Sequence, residues 1–252
     1  FQKYPFLILS IFLITACGGG GGGGSTPDPV NPLPIVTFSA SSSSVVLSTP
    51  ITLSWSSSNA TSCSASGSWQ GSKGTSGSES LTISNVGNNT FTLACTGSGG
   101  TSSKSVNVEG FRETRGVTVD GYIRGADIFI DTNENFIADA NENITTSDNE
   151  GNFTIKYADG TLISLNGFDV DTNTALENFL ITHKMDGHSE FKVISPVTTL
   201  LQFFDNPSNV KSSLGIDNSL DITTFDPVAN KSISTINDYL YEKGNQLTVL
   251  AY

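Results

Sequence analysis

The feature that most limits what this chain can fold into is a period-two alternation of apolar and polar residues, interrupted every few positions by Ser, Gly or Asn. Ile51-Thr52-Leu53-Ser54-Trp55-Ser56 alternates strictly, which puts Ile51, Leu53 and Trp55 on one face of a strand. Val36-Thr37-Phe38-Ser39, Val45-Val46-Leu47 and Leu81-Thr82-Ile83 repeat the theme, as do Thr90 to Cys95 and Ser103 to Val108. Short strands at this spacing predict a two-sheet sandwich over residues 35–109. The Ser/Gly turns between them leave no room for a long helix. Composition agrees, since charged residues make up 14% of the chain against roughly 25% in an average soluble protein. The whole chain reads as mainly β: two β-sandwich modules in tandem, followed by a short α-helical C-terminal region.

Three features of the first module resemble the immunoglobulin-like surface modules of bacteria. They are the Leu53-x-Trp55 strand, Cys63 a few residues later, and the Phe91-x-Leu93-x-Cys95-x-Gly97 strand. Trp55 precedes the first Cys instead of lying between the two as in antibody domains, so strand assignments do not carry over. Two readings stand for this module. In one it is a spacer with both tryptophans in its core. In the other it has a carbohydrate-binding face, with Trp69 of Ser68-Trp69-Gln70-Gly71 as the stacking residue.

Charge separates the two halves. Residues 110–252 hold 21 of the 24 acidic side chains and nine of the 12 basic ones, so the whole net charge of −12 lies there. That balance excludes nucleic acid as a partner and disfavours an anionic bilayer surface, because both are held by Lys and Arg. Between Asp120 and Glu150 eight acidic side chains meet one basic one, Arg124. Such crowding is repulsive unless water, salt or a bound cation offsets it.

Within that stretch, Asp131 to Glu142 sets oxygen-bearing side chains at positions 1, 3, 5, 9 and 12: Asp131, Asn133, Asn135, Asp139 and Glu142. The carbonyl of Ile137 falls at position 7. This is the spacing of a Ca²⁺ loop, because a hard cation takes six to eight oxygens and a distal carboxylate can supply two. An affinity on the order of 10⁻⁴–10⁻³ M, as in other extracellular modules, is expected. Phe136 stands at position 6, where such loops carry Gly for the sharp turn. The preceding Tyr122–Ile130 reads as strand, so this is no helix–loop–helix. A polar hairpin loop without metal is the competing reading.

The run Gly121-Tyr122-Ile123-x-Gly125-Ala126-x-Ile128-Phe129-Ile130-Asp131-x-Asn133, with Glu142 and Asp148-Asn149-Glu150-Gly151-Asn152-Phe153 after it, is similar to repeats of bacterial surface adhesins. Those are prealbumin-like, collagen-adhesin-B-type sandwiches in which an Asp-x-Asn-x-Asn loop commonly holds Ca²⁺. The resemblance implies a second sandwich over 110–194 and makes Asp148–Asn152 a hairpin turn. Asp169-Val170-Asp171-Thr172-Asn173 also alternates oxygens but lacks a distal Glu. His183 and His188 flank a turn at Asp186-Gly187 and read as turn neighbours ahead of a metal pair.

At the amino end, Lys3 precedes an apolar run from Tyr4 to Ala16. The run is shorter than the ~20 residues that span a bilayer and fits a signal-peptide core over residues 1–16. Ile14-Thr15-Ala16-Cys17 resembles the bacterial lipobox, which implies lipidation of Cys17. Gly18–Gly24 and the prolines that follow form a flexible, then stiffer, linker over 17–34. In that family Asp after the Cys favours retention at the inner membrane. Gly18 therefore implies an outer-membrane anchor, with the body on the periplasmic side or at the cell surface. Disulfides persist beyond the cytoplasm. With Cys17 lipidated, Cys63 and Cys95 are the remaining pair and are expected to bridge.

After Ser195 the period changes. Ser195-Pro196 is an N-cap with Pro at the first helical position, and Pro207 to Leu214, stopped by Gly215, makes a second short helix. Helical spacing from Ser234 to Leu250 is weakened by Gly244. It runs to Tyr252 without a cap, so the 195–252 region is expected to continue in a longer protein. No Gly-x-Ser-x-Gly, His-Glu-x-x-His or phosphate loop is present, and no catalytic residue is assigned. The expected function is a lipid-anchored surface protein for structure or adhesion, with a carbohydrate or protein surface as ligand. The alternative is the non-catalytic stalk or polysaccharide-binding part of a larger cell-surface hydrolase.

Overall fold

The computed structural model describes residues 30–177, 180–185, 188, 191–204, 206–229, 240, 242 and 244. The signal segment, Cys17, most of the linker and most of the helix expected over 234–250 lie outside the described residues.

The first sandwich is built from β1 (Ile35–Ala40), β2 (Ser44–Val46), β3 (Pro50–Ser58), β4 (Ser62–Gly67), β5 (Gly71–Lys73), β6 (Ser76–Thr82), β7 (Gly87–Gly97) and β8 (Gly100–Phe111). One sheet runs β1-β3-β6 and the other β2-β8-β7-β4-β5. The expected face of β3 points inward: Ile51, Leu53 and Trp55 are all buried, together with Phe38, Phe91, Leu93 and Val108. Cys63 lies directly opposite Cys95 in the β4–β7 register, and the two form a disulfide. The bridge therefore joins neighbours in one sheet instead of crossing between sheets.

The second sandwich follows with β9 (Glu113–Thr118), β10 (Ile123–Arg124), β11 (Asp127–Asp131), β12 (Ile144–Thr146), β13 (Asn152–Lys156), β14 (Gly160–Leu165), β15 (Phe168–Asp169), β16 (Thr174–Ala175), β17 (Leu180–Met185) and β18 (Phe191–Ile194). Sheets β13-β9-β18 and β12-β11-β14-β17 enclose a core of Ile128, Ile130, Phe153, Ile155, Leu162 and Ile194. The Thr118 hydroxyl donates to Ser164 Oγ across that core at 2.8 Å. A minor sheet, β10-β15-β16, closes one end. The segment expected as one strand, Tyr122–Ile130, is two, because Gly125 turns the chain at φ +66°. Among the described strands, each sandwich contains one parallel pair, β2 with β8 and β9 with β18.

The helices begin where their caps dictate. α1 (Pro196–Phe203) starts from Ser195, whose hydroxyl accepts the Thr198 N–H at 3.1 Å while Thr198 Oγ1 accepts the Ser195 N–H at 2.9 Å. Thr198 and Thr199 then bond the β17 backbone at Thr182, which docks α1 on the sandwich. α2 (Pro207–Ser213) ends at Leu214, ahead of Gly215 at φ +75°.

Only Arg112 separates β8 from β9. Around that junction, Lys156 Nζ pairs with Glu109 at 2.6 Å and sits over the Phe111 ring. The Tyr157 N–H donates to the Arg112 carbonyl at 2.9 Å.

Candidate functional site

The acidic loop Asp131–Glu142 starts where β11 ends. The side chains of Ile128, Phe129, Ile130 and Asp131 are all buried, so the strand delivers the first carboxylate of the loop to a site closed to water. Asp131 is 0% exposed and Glu142 9%. Asp131 Oδ1 accepts the N–H groups of Asn133 and Asn135 at 3.2 and 3.3 Å, and its Oδ2 accepts that of Phe136 at 2.7 Å. Glu142 Oε1 accepts the Thr132 N–H at 2.7 Å and the Thr132 hydroxyl at 3.1 Å, and Oε2 accepts the Asp139 N–H at 3.2 Å. The two ends of the loop are thus tied together through Thr132, a residue that no sequence signal marks.

Phe136 adopts φ +62°, the left-handed conformation that Gly ordinarily supplies at position 6. An L-residue there costs roughly 1–2 kcal/mol, and strained backbone of this kind gathers at functional loops. The remaining oxygens are arranged less simply. Asn133 and Asn135 both turn their NH₂ groups to Asp139 Oδ2, at 2.7 and 3.0 Å, while Asn135 Oδ1 accepts the Ile137 N–H. Among the described residues, no three His, Cys, Asp or Glu side chains gather as a metal-holding group. The ion pairs Lys73–Glu79 and Lys156–Glu109 involve none of the loop carboxylates. Among the described residues, the negative charge of the loop carboxylates is met by N–H and O–H donors alone.

The other sequence candidates are placed elsewhere. Trp69 is 5% exposed and belongs to the first core, in line with the reading of both tryptophans as core and against the weaker one of Trp69 as a surface stacking ring. It stacks on Phe38 at 5.5 Å and meets Trp55 edge-on at 5.3 Å, with its Nε1–H donated to the Thr92 carbonyl. Lys73 Nζ lies 4.6 Å from the centre of its ring. With its rings and N–H committed to the interior, no face is open to a sugar. Asp169 caps its own turn, accepting from Asp171, Thr172 N–H and the Thr172 hydroxyl. Asp148 does the same for Glu150 and Asn152, in the hairpin turn expected there. His183 is buried against the Val193 carbonyl, while His188 meets the Glu113 carbonyl, so each has a separate structural partner. Among the described residues no helix is long and apolar enough to cross a membrane.

No family model and no curated protein matches the sequence. Among solved structures, a chain described as "Structures of Clostridium thermocellum CbhA fibronectin(III)-like modules" aligns at 12% identity with a TM-score of 0.26. The alignment covers 62% of this chain and 98% of that one.

Proposed function

We propose that this chain is a non-enzymatic surface protein, lipid-anchored in the outer membrane through Cys17. In this reading its sandwiches are held by the Cys63–Cys95 disulfide and by a Ca²⁺ ion in the Asp131–Glu142 loop. One observation supports the calcium reading: Asp131 and Glu142 are buried carboxylates with no Lys or Arg partner among the described residues, on a loop whose sixth residue takes the left-handed turn. Buried charge without a counter-charge is costly, and a cation offsets it. Asp131, Asp139, Glu142, the Asn133 and Asn135 side-chain oxygens and the Ile137 carbonyl are the donors that would hold it. Both amides must turn their oxygens inward as the ion enters. The ion would supply rigidity and charge balance, with no chemical step attached to it.

Ca²⁺ at about 1–5 mM, above the affinity range of extracellular sites, is expected to raise the melting temperature of the second sandwich. Glu142→Gln is expected to abolish the gain. A parent protein with the same melting temperature in Ca²⁺ and in EDTA refutes the calcium reading. For the anchor, Cys17→Ser is expected to move the protein from the membrane fraction to the soluble one.

A further inference from the structure

On the outer face of the β13-β9-β18 sheet, Thr154, Arg115 and Phe191 lie side by side across three strands. Two adjoining hollows, of about 580 and 470 Å³, share Arg115 and Phe191 as lining residues. One extends toward the first sandwich, past Arg112, Glu113 and His188, to Ser48. The other extends past Thr145, Thr146 and Asn152 to Asp148. They lie side by side along the sheet, one on the side of the module junction and the other on the side of Asp148, and are treated together as one shallow cleft. It shares no residue with the Asp131–Glu142 loop.

We propose that this cleft binds an uncharged, linear polysaccharide. Among the described residues the charges on its wall cancel, Arg112 and Arg115 standing against Glu113 and Asp148, which favours neither an anionic nor a cationic polymer. Glu113 and Arg115 project from the same face of β9, yet among the described residues neither belongs to an ion pair. Their donors and acceptors are therefore open to a ligand rich in hydroxyls, which both donates and accepts. The threonine and asparagine side chains of the second hollow add groups of the same kind. Phe191 is 37% exposed and presents an apolar ring at mid-cleft, a suitable surface for the C–H face of a sugar. His188 is held at the rim by the Glu113 carbonyl and by edge contact with Tyr157, so that wall is formed before ligand arrives. An extended cleft across a sheet face, with one aromatic platform and polar groups on both sides, fits several sugar units of a chain. The inference deepens the surface-display reading by naming what such a surface would hold.

The test is affinity electrophoresis of the full chain through gels containing a soluble β-1,4-glucan, a β-1,3-glucan, dextran or polygalacturonate, all in EDTA. Retardation by at least one neutral glycan is expected. Arg115→Gln and Phe191→Ala should each weaken it by about tenfold, the loss of one good hydrogen bond or ring contact. Thermal melts matching the parent's separate lost binding from lost folding, and Arg115→Lys replaces Arg115→Gln if the latter melts early. Retardation by polygalacturonate alone, by no glycan, or undiminished in either variant overturns the assignment. Because EDTA is present throughout, a failed calcium test leaves this result standing.

Discussion

Residues 35–111 carry two acidic and two basic side chains, whereas residues 112–252 carry 21 and nine. The first sandwich holds its shape with a covalent cross-link and an aromatic cluster, Phe38, Trp55 and Trp69, and is solvated by Ser and Thr. The second has no cysteine and buries Asp131, Glu142, Thr182, His183 and Lys192. One fold architecture is thus held in two ways, one by a covalent bond and aromatic packing and one around buried polar groups. Both tryptophans fall in the first sandwich and no tyrosine does, so fluorescence and tyrosinate absorbance follow the two separately.

The largest effect expected is from Trp69→Ala, which should destabilise the first sandwich by about 3–5 kcal/mol. Trp55 fluorescence would follow that transition while the second stays in place. A solvent-like emission from the parent's Trp69, isolated in a Trp55→Phe variant, would contradict its burial. Next, replacing Cys63 and Cys95 by Ala opens a loop with a sequence separation of 32. It should cost the same transition about 3–4 kcal/mol on the loop-entropy account. An equal loss in the second sandwich would show that the two unfold as one unit. Calcium should act in the reverse sense, adding about 1.4 kcal/mol to the second transition at ten times its Kd and nothing to the first.

Alkali gives a smaller contrast. The Tyr122 hydroxyl donates to Asp226 at 3.1 Å, and burial first, then the Asp226 charge, push it up to about 12. A raised value means that the neutral hydroxyl is favoured in the fold. Its contribution is complete below the ordinary tyrosine value near 10 and is lost as pH rises toward about 12. The second transition should therefore weaken across that window while the first does not, and Tyr122→Phe should flatten the difference. The least effect is expected at the junction. Lys156 holds the Glu109 carboxyl below its ordinary value, chiefly by hydrogen bonding. Stability from this pair is present above the pH at which an unfolded Glu ionises and is lost as pH falls through the folded value. The pair is solvent-exposed, so Lys156→Ala should cost no more than about 1 kcal/mol.

Much of this was legible where apolar side chains alternate. The buried face of β3, the Phe91–Cys95 strand and the capped start of α1 all follow from local pattern, because packing and capping there obey the period of a single element. The strands Ser62–Gly67 and Gly71–Lys73 carry few apolar residues and show no such pattern, and Ser76–Thr82 shows it only at its end, from Leu81. They are strands because their neighbours pair with them. Trp69 was open to two readings for the same reason: flanked by Ser68 and Gln70, it carries no local pattern that separates a core ring from a surface one. Its partner Phe38 lies on a strand more than 30 residues away in sequence. The oxygen spacing from Asp131 to Glu142 was readable, but the left-handed turn at Phe136 was not, since the usual Gly is missing. The cleft at Arg115 and Phe191 left no trace in the sequence, because a parallel register between distant strands creates it.

That parallel register also governs how the second sandwich would bear a load. The chain enters at the start of β9 and leaves at the end of β18, and the four residue pairs from Phe191↔Arg115 to Ile194↔Thr118 run in the same direction. Tension applied between entry and exit slides the two strands past each other. All the rungs are then strained together, instead of opening one at a time as in a peeled hairpin. A body hung from one end and pulled from the other would yield only when the whole ladder fails at once.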